Sequence, residues 1–227
     1  MKGIFMLTPR LEMILRNVKT DSVADIGTDH AFIPIALAQE GKSVIATDAN
    51  MGPLKSAEKN VKKYGLEISL RLGNGLGPLS CGEASEIIIA GMGGELIKTI
   101  ISEDFEKAKA SRLILQPMNS QAELRQFLTE GGFETVAEDL AKEDRKIYNL
   151  IVAVSGTSQI ASREIDLHLP PALYSHPLFP MLLAKKEREF TKQYNGLSKS
   201  ETADFGELKR LEALLCDIEN LKREVIK

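Results

Sequence analysis

The sequence predicts an α/β fold: a Rossmann-like, mostly parallel sheet with an antiparallel last strand, followed by a C-terminal helical hairpin of coiled-coil type. Three observations predict it. Apolar strand patterns and amphipathic helix patterns alternate from residue 22 to 154, which builds a parallel sheet with helices on both faces. The last two strand patterns have only the polar stretch 137–146 between them, so they pair as an antiparallel hairpin with a longer loop. Beyond the Ser/Gly/Thr-rich linker 155–162 the apolar period becomes helical.

Strands are expected at about 22–27, 43–48, 68–72, 85–90, 111–116, 133–138 and 147–154. Several, such as Ile87-Ile88-Ile89-Ala90, are continuous apolar runs, as strands covered on both faces require. Helices are expected at about 31–40, 53–64, 93–102 and 119–130; Pro53 suits a first helical turn, and Gly41 and Gly65 stop the helices before them. Further on, a helix starting after Pro177 or Pro180 runs through Tyr194, where Asn195-Gly196 breaks it, and a final helix runs from about Glu201 to Glu224. Leu211, Leu214, Ile218, Leu221 and Val225 follow a 3-4-3-4 spacing, a coiled-coil-like seam. The short connection makes the two helices antiparallel neighbours. The expected domains are thus 1–156, with an N-terminal helix, and 157–227. The hairpin either packs on its own seam or grips a large substrate. Eleven basic and eleven acidic residues in 160–227 lend no support to strong phosphate binding.

A chain of 227 residues suits one full domain plus a smaller appendage. Its 43% hydrophobic content fills a core and is too low for a membrane protein, and no apolar run approaches the length of a membrane span. No signal-peptide pattern is recognisable, and Cys81 and Cys216 sit in separate regions that suggest no disulfide framework, so a cytoplasmic location is expected. A net charge of -3 argues against a surface that grips nucleic acid all over. It leaves two local basic clusters, Arg10, Arg16 and Lys19, and Lys55, Lys59, Lys62 and Lys63, as candidate contacts or as plain solvated faces. Neither DNA nor a membrane is expected as a partner. A monomer is expected, with a weak homodimer as the alternative.

The most informative stretch is Ala24-Asp25-Ile26-Gly27-Thr28-Asp29-His30, a buried strand that ends in an acidic turn and runs into a helix. The second strand ends at Asp48, followed by Ala49 and Asn50. An acidic turn with a second carboxylate about 20 residues on suits a nucleoside-containing cofactor: the turn approaches with its backbone and the carboxylate takes the two ribose hydroxyls. Each residue also has a plainer reading, Asp25 as a helix-capping carboxylate and Asp48 as a solvated strand end. Only Gly27 of a G-x-G-x-x-G pattern is present, and Asp25 and Asp29 would repel a pyrophosphate. S-adenosyl-L-methionine carries no phosphate, and its sulfonium and amino groups are cationic, so an acidic turn favours it over NAD. Gly73-Asn74-Gly75-Leu76 follows the third strand, where such a sheet faces the adenine. Asn74 can hydrogen-bond the exocyclic amine and Gly75 permits close approach, although the pair standing alone is a plain Asn-Gly turn. Ile89-Ala90-Gly91-Met92-Gly93-Gly94 follows the fourth strand. It can bring backbone groups near both the transferable methyl and its acceptor, or serve merely as a strand-to-helix connection. His30 has no ligating company, so no metal is expected; a cap or a cofactor-side hydrogen bond suits it better.

Together these residues resemble one family, the bacterial tRNA (adenine-22-N1)-methyltransferases, the TrmK family of class I methyltransferases. The matching pieces are Arg10-Leu11, the turn from Ala24 to His30, Gly52-Pro53, Gly73 to Leu76, Ile89 to Gly94, Leu115-Gln116-Pro117 and Lys146-Ile147-Tyr148. Gly91-Met92-Gly93-Gly94 and Gln116-Pro117 are the specific ones. Asn74 departs from the aspartate common in the family but keeps an acceptor. The resemblance implies a class I methyltransferase sheet, S-adenosyl-L-methionine as cofactor, tRNA as partner, and methyl transfer to N1 of an adenine. Expected cofactor contacts are Asp25, Gly27, Thr28, Asp29, His30, Asp48, Ala49, Asn50, Asn74, Gly75, Ala90, Gly91, Met92 and Gly93; acceptor-side roles fall to Asp29, Arg10, Gly91 and Met92. Neutral adenine already carries a lone pair on N1, so no general base is required. The other readings are a class I methyltransferase with a small-molecule or protein acceptor, an NAD-dependent oxidoreductase, and a noncatalytic interaction protein built around the hairpin.

Overall fold

The computed structural model describes residues 7–157, 161–199 and 204–225. The chain divides into two compact units, Met1–Ile160 and Ala161–Lys227. The first contains, in chain order, α1 (Pro9–Arg16), β1 (Ser22–Ile26), α2 (Phe32–Gln39), β2 (Ser43–Asp48), α3 (Met51–Tyr64), β3 (Ser69–Leu72), β4 (Glu86–Met92), α4 (Gly94–Glu103), α5 (Phe105–Lys109), β5 (Arg112–Pro117), α6 (Gln121–Glu130), β6 (Phe133–Glu143) and β7 (Lys146–Ser155). The strands lie side by side in the order β3-β2-β1-β4-β5-β7-β6. β1 pairs in parallel with β2 and β4, β2 with β3, and β4 with β5, while β7 runs antiparallel to both β5 and β6. The order therefore reverses between β1 and β4, and ligands of open α/β sheets bind at such a switch point, beyond the carboxyl ends of the strands.

The apolar runs follow from burial on both faces. Val23, Val44, Ile88 and Ile114 pack on Met13 and Ile14 of α1 and on Ile33 and Leu37 of α2. Alternate residues Ala24, Ile26, Ile87, Ile89 and Leu113 point the other way, onto Ile97 and Ile101 of α4 and Leu124 and Leu128 of α6. Gly65 ends α3 with φ 63, the left-handed C-cap that favours glycine.

One boundary differs in kind. The polar stretch expected as a long loop is strand: β6 continues to Glu143, and the hairpin closes through Asp144 (φ 53) and Arg145 alone. β6 is an edge strand, which tolerates polar residues. Two of its charges are also neutralised across the fold. Arg125 of α6 grips Glu138 (2.8 and 2.6 Å), and Arg16 grips Asp139 (2.7 Å twice). The short α5 was not anticipated.

At the opposite end of the sheet from the switch point, the buried carboxylate of Glu86 holds the α1–β1 connection. It accepts the N–H groups of Lys19 and Thr20 (2.9 Å each) and the Thr20 hydroxyl (3.1 Å), and pairs with Arg112, which also donates to the carbonyl of Asn17 (2.8 Å). Glu86→Ala is expected to cost about 3–5 kcal/mol in urea unfolding, because it strands a partly buried guanidinium and two backbone donors. A loss under about 1 kcal/mol would show that water replaces the carboxylate without penalty.

The second unit holds α7 (Glu164–His168), a 3-10 turn (Pro171–Leu173), α8 (Phe179–Leu197) and α9 (Phe205–Val225). α7 and the turn lie in a stretch the sequence left unassigned. α8 does not break at Asn195-Gly196: Ser198 N–H still bonds the Tyr194 carbonyl (2.8 Å), and glycine in a last helical turn costs only about 1 kcal/mol. Leu211, Leu214, Ile218 and Leu221 are buried as the seam requires, and Val225 is half-buried. Tyr194 bonds Glu212 (2.8 Å) and Glu187 pairs with Lys222 (2.6 Å), so α8 and α9 run antiparallel. The expected start of α9 at Glu201 and residues 158–160 of the linker lie outside the described residues. Among the described residues no helix is long and apolar enough to cross a membrane.

Candidate active site

The turn after β1 is made by its backbone. Gly27 takes φ 74, and Gly27 and Thr28 both donate their N–H groups to the carbonyl of Thr47 on β2 (2.9 Å each), folding the chain across the sheet edge. Asp29 (φ 49) and Ala31 (φ 57) complete the reversal in the left-handed region, which is costly for residues with a side chain. A β-carbon on Gly27 would overlap the methyl of Met92, so the glycine answers both a dihedral and a close approach.

This turn forms one wall of a cleft of about 310 Å³. Of the expected site residues, Arg10, Asp25, Gly27, Thr28, Asp29, His30, Ala90 and Gly91 line it, joined by Leu11, Phe32 and Ile33, none of which was an expected site residue. Asp25 is 4% exposed, and burial pushes its carboxyl up to about 6; the Thr28 hydroxyl opposes the rise and the Asp48 charge adds to it. Thr28 lies close enough to act on Asp25 electrostatically, but its buried Oγ1 completes no hydrogen bond of normal geometry. Asp29 points outward, its side chain 67% exposed and 3.6 Å from His30 Nε2. His30 in turn stacks on Phe32, ring centroids 5.4 Å apart.

Asp48, Ala49, Asn50, Asn74 and Gly75 lie outside that cleft, around the ends of β2 and β3. Asp48 is 8% exposed; Oδ1 accepts the N–H of Asn50 (2.8 Å) and Oδ2 that of Asp29 (3.4 Å), while its own carbonyl accepts from Gly73 (3.0 Å). The one carboxylate thus links the first turn, the second turn and, through its backbone, the loop carrying Asn74. Ala49, Asn50 and Asn74 are exposed, and Gly75 has φ 50 against Ile100.

The end of β4 carries a β-bulge. Ala90 pairs with Gln116 and Met92 with Pro117, leaving Gly91 (φ 77) as the extra residue between them. Its N–H goes to Gln116 Oε1 (3.2 Å), which also accepts Arg10 Nη1 (3.0 Å). The Arg10 guanidinium lies over the Tyr148 ring, 5.7 Å from its centroid. Met92 and Gly93 stand outside the cleft lining, Met92 against Gly27 and Gly93 against Asn119 Oδ1. Asn119 also accepts the N–H of Gly94 (3.1 Å). In the basic clusters, Arg16 is committed to Asp139 and Lys62 to Glu58 (2.6 Å). Asn119 had no role in the sequence reading, and Gln116 entered it only as part of the family-like pair Gln116-Pro117, with no site role; the further signal for Gln116 was an uncharged polar residue closing the apolar run Leu113-Ile114-Leu115.

A doubly wound sheet with one reversed strand, and a cofactor turn lined with carboxylates where a dinucleotide would need amides, define a class I methyltransferase. The methyltransferase-domain family model matches residues 7–151. The chain belongs to the tRNA (adenine(22)-N(1))-methyltransferase family: it is 37% identical to the Bacillus subtilis enzyme of that name over 167 residues, 71% of this chain and 70% of that one. The crystal structure of the B. subtilis tRNA methyltransferase TrmK superposes with a TM-score of 0.85 at 29% identity, covering 95% of this chain and 98% of that one. M. capricolum TrmK in complex with the cofactor product S-adenosyl-homocysteine superposes with a TM-score of 0.81 at 25% identity, covering 97% and 100%.

Proposed function

We propose that this protein is a cytoplasmic enzyme that transfers the methyl group of S-adenosyl-L-methionine to N1 of an adenine in tRNA, at adenine 22 as its B. subtilis relative is named for doing. The observation that carries the cofactor half is the paired burial of Asp25 and Thr28 in the cleft wall. A carboxyl held up near 6 by desolvation, in the cleft wall beside the buried Thr28, is relieved by a cation. S-adenosyl-L-methionine brings a methyl group on a cationic sulfur, which leaves as a neutral thioether while the charge passes to the methylated base.

The chain's own part is binding and alignment. Asp25, Gly27, Thr28 and His30 hold the amino-acid end. Asp48 takes the ribose hydroxyls, with Ala49 and Asn50 beside it, and Asn74 and Gly75 flank the adenine. The bulge Ala90-Gly91-Met92-Gly93 presents backbone groups at the transfer point. Asp29, exposed at the cleft mouth, accepts from the exocyclic amine of the target adenine, and Arg10 meets a phosphate of the substrate. No residue has to remove a proton, because N1 attacks with its own lone pair. Holding N1 in line with the methyl is worth on the order of 7–11 kcal/mol in ideal cases, and the base has to leave its stack to reach the cleft. Residues 157–227 form a separate helical domain in this reading, and the enzyme acts as a monomer.

The test is incubation with methyl-labelled S-adenosyl-L-methionine and unmodified tRNA, followed by digestion and mass spectrometry of the nucleosides. N1-methyladenosine is expected; label that never enters RNA would point to a small-molecule or protein acceptor. Asp29→Ala is expected to lower kcat about 100-fold, as removal of one preorganised polar contact does elsewhere. Unchanged turnover would remove Asp29 from the acceptor site.

A further inference from the structure

We infer that Gln116 is the positioning residue of the transfer site: its side-chain amide locks the bulge at the end of β4 and the Arg10 guanidinium into one fixed arrangement. Gln116 is fully buried at the end of β5, where the preceding residues are aliphatic. An amide there is costly unless all its hydrogen-bonding capacity is used. Here it is. Oε1 accepts from Gly91 N–H (3.2 Å) and Arg10 Nη1 (3.0 Å), while Nε2 donates to the Pro117 carbonyl (3.2 Å) and approaches Met118 Sδ (3.6 Å). The two donors on one side and the two acceptors on the other fix which way the amide faces.

Both groups held by Oε1 line the cleft, and neither would stay in place alone. Gly91 is the unpaired residue of a bulge, so its N–H has no partner in the strand ladder. Arg10 sits in the first turn of α1 on a long, rotatable side chain, with the Tyr148 face as its other neighbour. A β-carbon on Gly91 would come within 3.5 Å of Arg10 Nη1, so bulge and guanidinium are already in near contact. One oxygen therefore sets the spacing between the backbone that faces the methyl group and the cation that faces the substrate. Gln116 itself does not line the cleft; it acts through the two groups that do.

The activity arm of the test rests on the proposed transfer to tRNA; a spectroscopic arm does not. Gln116→Leu keeps the volume and removes the bonds. It is expected to lower kcat about 30- to 100-fold, the scale of a misplacement near 1 Å, with the KM for S-adenosyl-L-methionine within about threefold. Adding Arg10→Ala to Gln116→Leu should cost no more than about twofold beyond Gln116→Leu alone, since the leucine variant has already released the guanidinium. In ¹⁵N-arginine NMR spectra, the slowly rotating guanidinium signals of Arg10 should sharpen to the free-side-chain pattern in Gln116→Leu. If the leucine variant unfolds, Gln116→Asn, one methylene too short to reach both donors, takes the same measurements. Unchanged Arg10 signals, or multiplicative losses in the double variant, overturn the inference. Wild-type enzyme that places no methyl on tRNA defeats the function proposed above, and the Arg10 spectra then decide the positioning role by themselves.

Discussion

Asp48→Ala is expected to weaken S-adenosylhomocysteine binding about 100-fold, read by calorimetric titration at pH 7.5. The carboxylate already accepts the N–H groups of Asn50 and Asp29, at 2.8 and 3.4 Å. In the proposed cofactor site it also accepts the two ribose hydroxyls, which are neutral donors to a charged acceptor. Bonds of that type contribute about 1.5–3 kcal/mol each. Losing two, with water partly filling the gap, comes to about 3 kcal/mol, or roughly two decades of affinity. The alanine also leaves two backbone donors unpaired and loosens the tie between the first and second turns, so part of the loss is disorder of the empty site. Asp48→Asn separates the contributions. It keeps one acceptor and the shape, and is expected to cost about tenfold. Binding within twofold of wild type for the alanine variant would mean the ribose is held elsewhere.

The parts of this site visible in the sequence were those fixed by short-range backbone chemistry. A strand ending in Asp25-Ile26-Gly27 declares a turn with a left-handed residue, and Gly27 has φ 74. The carboxylate closing β2 was legible for the same reason: adjacent parallel strands in register put Ile26 beside Thr47, and the turns after them beside each other. The sheet was legible because burial on both faces leaves continuous aliphatic runs. What stayed hidden depends on partners far away in sequence. Glu138 and Asp139 look like loop residues until Arg125 and Arg16 are brought to them, the latter from 123 residues away. Gln116 reads as an odd polar residue in an apolar strand until Arg10, 106 residues earlier, and Gly91 converge on it. Burial can be inferred from pattern, but the satisfaction of a buried polar group is a property of the assembled fold. Asn195-Gly196 fails for a different reason. Both residues are weak helix formers, yet the last turn of a packed helix needs little local propensity.

Asp25→Asn is expected to stabilise the empty protein and cripple the enzyme, because the same buried charge opposes folding and attracts the cofactor. Desolvation, with the Asp48 charge adding to it, raises the Asp25 pKa from 3.8 to about 6. Between those values the native state keeps a proton that the unfolded chain has released, so stability falls as pH rises through this window. Below about pH 4 the group contributes no penalty; above pH 6 the full cost is present, about 3 kcal/mol for a shift of this size. Asparagine is neutral throughout. Its gain in urea unfolding should therefore approach 3 kcal/mol at pH 7.5 and vanish near pH 3.5. Cofactor binding runs the other way. The cationic groups of S-adenosyl-L-methionine favour the ionised carboxylate, so wild-type affinity is expected to rise between about pH 5 and 7 and level off above. In Asp25→Asn the profile should be flat and the affinity about 100-fold lower at pH 7.5. A wild-type profile already flat across that range would separate Asp25 from the cofactor. A variant no more stable than wild type at pH 7.5 would mean that the empty cleft solvates the carboxylate after all. If both effects appear together, the acidic turn is a site kept at the expense of the apo fold, and the bound cation is what makes its charge tolerable.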